Sequence, residues 1–116
     1  MEAAMQKYDA LILRLDADAI SKLFTADGKL GNIATGRDSI KKFLSSFKNV
    51  QVLSQHSSTT SINIIADTAT QNGIYHQTDV VNNRDTVTVK GEFTARWLWI
   101  NKKGWFIQQM ETKPTQ

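Results

Sequence analysis

The sequence has no cysteine and a single proline, Pro114, close to its end. Without thiols there is no disulfide, no thiolate zinc site and no cysteine nucleophile. Its two histidines, His56 and His76, stand far apart in sequence, so neither a metal centre nor another cofactor is expected. No apolar run approaches the roughly 20 residues that cross a bilayer, and the opening MEAAMQKYDA lacks the basic segment, apolar stretch and cleavage site of a secretory signal. A soluble cytoplasmic protein with no membrane partner is the expectation. Charge of one sign is also scarce: the net charge is +3, and Lys41-Lys42 and Lys102-Lys103 are isolated pairs without interleaved aromatics. Such a surface gives no reason to expect a nucleic-acid partner. Linker-like, low-complexity and repeated stretches are missing too, so residues 1–116 are expected to form one domain.

What is present suits a folded core. Hydrophobic residues make up 41% of the 116 and charged residues 22%, the usual globular balance. Met5, Tyr8, Leu11, Ile12 and Leu15 follow helical spacing, and Ala19, Ile20, Leu23 and Phe24 form a second stripe after Asp16 or Asp18 as N-cap. Thr25-Ala26-Asp27-Gly28 is expected to end that helix, with a short extended piece over Leu30 to Thr35. Gly36 then leads into a third helix carrying Ile40, Phe43, Leu44 and Phe47. After Val50, β-branched and aromatic residues dominate, which predicts strands near Gln51–Ile65, Thr68–Gln77, Thr86–Ile100 and Trp105–Lys113. Helices first and hairpins afterwards make an α+β fold with a curved antiparallel sheet.

Turn chemistry predicts which residues share a face. A three-residue loop ending at Gly104 sets Asn101 opposite Trp105, placing Trp97, Trp99, Trp105, Ile107 and Gln109 on one face. A two-residue turn at Ala66-Asp67 pairs Ile64 with Ala69, Ile62 with Gln71 and Ser58 with Tyr75. His56, Ser58, Gln71 and Tyr75 then join the tryptophan face. On the opposite face Leu98, Ile100, Phe106 and Met110 are apolar, beside Arg96. Such a patch predicts a homodimer built on the outer side of the sheet.

The chain resembles the nuclear transport factor 2-like superfamily, in particular its SnoaL-like and ketosteroid-isomerase-like members. The resemblance is carried by Asp16 through Ile20, Leu23-Phe24, Asp27-Gly28, the Gly36–Phe43 helix start, Asp67-Thr68-Ala69, Gly73-Ile74-Tyr75, Gly91 through Trp97 and Gly104-Trp105-Phe106-Ile107. It implies a cystatin-like α+β cone, in which three N-terminal helices pack into a strongly bent sheet around a cavity, and dimerisation through that sheet. It does not fix function, because the superfamily includes isomerases, cyclases, dehydratases, ligand binders and assembly modules.

The resemblance also allows a test for chemistry. Anchored on Asp16 and Phe24, Tyr8 falls where the ketosteroid isomerases carry an oxyanion tyrosine. The place of their general-base aspartate falls on Asn32, which does not take a proton at neutral pH, and no aspartate lies between Phe93 and Ile100. The reading favoured is therefore a small-molecule-binding protein whose apolar cavity takes an apolar ligand with a polar head. Tyr8, Gln71, Tyr75 and Gln109 supply its polar set, Trp97 and Trp99 its flat walls, and His56 sits near the mouth. Gln71 and Gln109 matter because amides on an apolar face need partners. Two alternatives stand beside it. One is an isomerase, cyclase or dehydratase using His56 as base, since histidine ordinarily titrates near neutrality, with Tyr8 or Tyr75 as donor. The other is a dimeric assembly module. His76 is expected to face outward, and Asp16, Asp18 and Asp27 are expected in capping and turn roles.

Overall fold

The computed structural model describes residues 2–47 and 49–115. Its elements in chain order are α1 (Glu2–Arg14), α2 (Ala17–Ser21), β1 (Phe24–Leu30), β2 (Ala34–Thr35), α3 (Arg37–Ser45), β3 (Val50–Ile65), β4 (Thr68–Val81), β5 (Asp85–Ile100) and β6 (Gly104–Thr115). The apolar stripe of α1 faces inward, with Met5 and Ile12 buried and Tyr8 and Leu11 packed against the core. Leu15 adopts a left-handed φ of 50° and breaks the helix. Asp16 then caps α2, its carboxylate accepting from the Ala19 N–H at 3.1 Å. Asp18 instead ties α2 to α3 from the surface, 3.0 Å from the Lys22 ammonium and 3.2 Å from that of Lys41.

The second helix is shorter than its stripe predicts. Phe24 begins a strand, because the Leu23 carbonyl accepts from the Ile107 N–H at 2.8 Å and draws the chain alongside β6. Pairing with the sheet outweighs the local helical periodicity. Asp27 consequently lies within β1, where its carboxylate accepts from the Thr25 hydroxyl at 3.1 Å. The stretch expected to be extended over Leu30–Thr35 is a tight turn, Gly31–Ile33, closed by Ile33 N–H to Leu30 C=O at 3.1 Å.

The six strands form one sheet in the order β2-β1-β6-β5-β4-β3. Every pair is antiparallel except β1 with β6, which is parallel. The turn at Ala66-Asp67 pairs Ile64 with Ala69 and Ile62 with Gln71 as predicted. The last hairpin keeps a three-residue loop but places it one residue earlier in the chain than predicted, pairing Ile100 with Gly104 and Trp99 with Trp105. Odd residues still pair with odd, so Trp97 and Ile107 both point to the helices.

A β-bulge at Leu53 lies near the start of β3, and two others change the faces at the residues singled out in the sequence. Thr59 pairs with Gly73 and Ser61 with Asn72, which leaves Thr60 as the extra residue of β3. Trp97 pairs with Ile107 and Arg96 with Gln109, which leaves Gln108 as the extra residue of β6. Each single insertion moves every side chain beyond it, counted away from the hairpin turn, to the other side. His56 and Gln109 therefore turn outward, whereas Gln55, Ser57 and Met110 turn inward.

The core lies between the helices and the concave face, where Ile20, Phe24, Ile40, Trp97 and Ile107 are the largest fully buried apolar side chains. Close backbone approaches sharpen the bend. A Cβ on Gly73 would run into the Ser58 carbonyl and the Phe93 ring, and one on Gly91 into the Lys113 carbonyl.

Candidate ligand-binding cavity

Beyond the tightly packed end of the core, α1, α3 and the inner sheet face enclose a cavity of about 310 Å³. Its wall is mostly apolar: Met5 and Ile12 come from α1, Phe43 and Leu44 from α3, Phe93 from β5 and Met110 from β6. Ile33 and Phe47, both well exposed, stand where it opens. Phe47 meets the Phe43 ring edge-on at 5.0 Å.

The polar lining comes from a small block of the sheet. Gln55 pairs with Gln77 and Ser57 with Tyr75, so two successive cross-strand pairs of β3 and β4 bring four polar side chains together. Thr112 of β6 and Tyr8 of α1 complete the set. Among the described residues no charged side chain lines the cavity. The charges stand behind its wall. Asp9, the neighbour of Tyr8 on α1, accepts from the Ser57 hydroxyl at 2.7 Å and from Gln55 Nε2 at 3.2 Å. Gln77 Nε2 in turn donates to both oxygens of Asp79, at 2.9 and 3.0 Å.

Burial sets the electrostatics of these groups. It lifts the Asp9 carboxyl above its ordinary range, against the opposing hydrogen bonds from Ser57 and Gln55 and the nearby His56. Burial also pushes the Tyr8 phenol up, helped by the Asp9 charge, and raises that of Tyr75, partly offset by a hydrogen bond with Thr112. Both phenols therefore remain protonated and able to donate at neutral pH. One buried side-chain atom has no hydrogen-bond partner among the described residues, the carbonyl oxygen of Gln55.

The residues singled out in the sequence scatter over three environments. Tyr8 and Tyr75 line the cavity together. Gln71 does not reach it: the side chain is fully buried, accepting from the Trp97 indole N–H at 3.0 Å and donating to the Thr59 hydroxyl at 2.7 Å. Trp97, 1% exposed, is held in the core by that bond and forms no part of the cavity wall. Trp99 lies past the reach of the helices, 44% exposed, with Trp105 edge-on at 5.3 Å.

The bulges account for the other corrections. His56 is exposed on the outer face, opposite His76, and does not stand at the mouth. Gln109 is also on the outer face, donating to Glu111 at 2.6 Å. Met110, expected in the outer patch, is 2% exposed and lines the cavity. Arg96, Leu98 and Ile100 do lie on the outer face, and half-buried Phe106 pairs with Leu98 on that side, at the border of a groove with Leu11, Ala19 and Leu23. Asn32 is exposed in the turn after β1, away from the cavity wall. Sequence reasoning passed over Asp9, Gln55, Ser57 and Gln77. The available signal was the odd-numbered polar alternation of Gln55 and Ser57, which the bulge at Thr60 put out of phase with the turn.

No curated protein matches the sequence. Solved structures do match its fold. A ketosteroid isomerase-like protein from Erwinia carotovora atroseptica superposes with a TM-score of 0.84 at 19% identity, over 99% of this chain and 93% of that one. A candidate scytalone dehydratase from Novosphingobium aromaticivorans gives 0.85 at 20% identity, covering 99% and 81%. A candidate calcium/calmodulin-dependent kinase II association domain from Exiguobacterium sibiricum gives 0.78 at 15% identity, covering 99% and 90%. These likenesses establish the α+β cone and leave its use open. The family model of the SnoaL-like domain matches residues 3–111, and with nearly the whole chain covered the protein belongs to that family.

Proposed function

We propose that the protein binds a small, largely apolar molecule with a polar head in the cavity between α1, α3 and the sheet. The observation that carries this reading is a hollow of about 310 Å³ whose wall is apolar except for one block of amide and hydroxyl groups. Ligand sites have that make-up, apolar for affinity with a few polar groups for orientation. The unpartnered Gln55 oxygen adds to it, since a buried acceptor without a donor costs free energy that a ligand recovers. Binding is favoured over catalysis through His56, because that imidazole faces the other side of the sheet.

The test is a cavity-filling variant, Met110→Trp, compared with wild type by calorimetric titration with propylbenzene and 3-phenylpropan-1-ol. Wild type is expected to bind both, and the variant to lose at least tenfold in affinity while still melting cooperatively. Equal binding by the two proteins would reject the cavity as the site.

A second reading concerns assembly. The outer face carries Ile65, which is 67% exposed, and half-buried Leu98 and Ile100. Ile65 pairs with Thr68 and Thr68 with Leu98, so the two apolar residues flank Thr68 of β4 on the same face. The occupant proposed for this patch is a second copy of the chain.

A further inference from the structure

We propose that the head of the ligand is a hydrogen-bond donor, in its simplest form a primary amine, and that the site discriminates against carboxylates. This rests on the cavity being a ligand site and adds to it the chemical class of the head.

Two amides set the preference for a donor. Gln55 and Gln77 face each other across β3 and β4, and both line the cavity. The nitrogen end of each is already engaged by a carboxylate, Gln55 by Asp9 and Gln77 by Asp79. An ionised carboxylate only accepts, so neither amide can turn over without facing oxygen to oxygen. The aspartates thus fix both glutamines with their carbonyl ends unspent. The Gln55 oxygen is buried without a partner, and the Gln77 oxygen accepts from none of the described residues. Ser57 contributes in the same sense, because its hydroxyl proton is given to Asp9 and only its lone pairs remain.

Gln55, Gln77 and Ser57 therefore present acceptors, with two carboxylates behind them, and the donors of the lining are the hydroxyls of Tyr8, Tyr75 and Thr112; among the described residues no lysine, arginine or histidine lines the wall. An anion placed against Gln55, Gln77 and Ser57 meets oxygen lone pairs and negative charge in a partly desolvated site, with no cation among the described lining residues to balance it. An ammonium group meets the reverse. It carries three N–H donors, enough for two amide oxygens and one hydroxyl. The volume sets the tail: at roughly 30 Å³ for each water-sized unit, the cavity takes about ten non-hydrogen atoms. The phenyl rings of Phe43, Phe47 and Phe93 offer an aryl tail edge and face contacts.

The probes are 3-phenylpropylamine, 3-phenylpropan-1-ol, 3-phenylpropionate and propylbenzene, which share one tail. Calorimetric titration of the full chain at neutral pH is expected to rank amine above alcohol above carboxylate. The amine should bind at least tenfold more tightly than the carboxylate, about the worth of one charge-assisted hydrogen bond. Asp79→Asn is the diagnostic variant, since an asparagine both donates and accepts and frees Gln77 to present its N–H end. It should reduce the amine-to-carboxylate ratio at least threefold, and Gln77→Leu should do the same. Because each ratio is taken on one protein, an unfolded fraction cancels from it. Alcohol and hydrocarbon binding combined with carboxylate affinity equal to that of the amine would overturn the donor-head inference and leave the cavity reading standing. An unchanged ratio in both variants would also overturn it. Failure of all four probes to bind would remove the cavity reading and this inference with it.

Discussion

Asp9 is the residue where burial and hydrogen bonding pull hardest against each other. Its carboxyl is raised by desolvation although two side chains donate to it, so the fold favours its protonated form. The sign follows by linkage: the contribution is fully present below the ordinary aspartate range and is lost as pH rises through the raised value. Asp9→Asn imitates the protonated acid and still accepts from Ser57 and Gln55. It is expected to equal or exceed wild type in stability at pH 7, by no more than about 1 kcal/mol for so partly exposed a group, with the gain vanishing in acid. Asp9→Ala leaves both donors unpaired and is expected to cost about 1–3 kcal/mol. Urea melts at pH 7 and in acid separate the two, and an asparagine variant as unstable as the alanine one would show that the negative charge itself is needed. At this scale the sequence was partly legible. Gln71 announced itself as an amide on an apolar face that had to be paired, and it is paired, but its partners Trp97 and Thr59 are set by register, which composition does not encode.

At the scale of elements, what was legible depended on how local the cause is. Ala66-Asp67 and the loop before Gly104 fix their hairpins through the dihedral angles of two or three residues, with Ala66 at φ 54° and Gly104 at φ 105°, so the adjoining pairs or their parity could be read. The bulge at Thr60 sits in Ser57-Ser58-Thr59-Thr60-Ser61, a hydroxyl run without hydrophobic alternation, where slipping by one residue changes no pattern. Gln108 lies beside Gln109, so the exchange of faces there swaps one amide for another. The trace it left is the three-residue step from Ile107 to Met110, both buried, where an unbroken strand needs an even step. Deletion of Gln108 should make this visible. It leaves Ile107, Gln109 and Met110 in unbroken alternation, with Gln109 still opposite Arg96 and Met110 opposite Ala95, so the variant is expected to lose the bulge, keep its faces and cost less than about 1 kcal/mol. Thermal denaturation followed by near-ultraviolet circular dichroism measures it. A loss of about 3 kcal/mol or more, the cost of exposing Met110 and burying Gln109, would show that the two faces had exchanged.

For the molecule as a whole, the cone places its two candidate surfaces on opposite sides of one sheet. The concave side holds the cavity, and the convex side carries Ile65, Leu98, Ile100 and Phe106 among threonines and Arg96. Leu98 and Ile100 were legible as outward-facing, because β5 alternates without interruption from Gly91 to Trp97, whereas Met110 was misassigned through the bulge. The apolar patch therefore loses Met110, keeps Phe106 opposite Leu98 and extends toward the β3–β4 turn through Ile65. A two-fold axis through it lets each copy bury the same residues, and a stable contact buries about 800 Å² on each partner. Ile65, Leu98, Ile100 and Phe106 supply only its centre, so Thr70, Asn72 and Arg96 must form the wet rim. A modest, concentration-dependent dimer is the expected outcome. Sedimentation velocity across the micromolar range is expected to show the wild type shifting from monomer to dimer, and Leu98→Asp with Ile65→Asp remaining monomeric at every concentration. Both aspartates sit on exposed or half-exposed positions, so cooperative melting of the double variant is expected to persist. A wild type that stays monomeric throughout, or a dimer indifferent to two buried charges, would show that the convex face is not where copies meet.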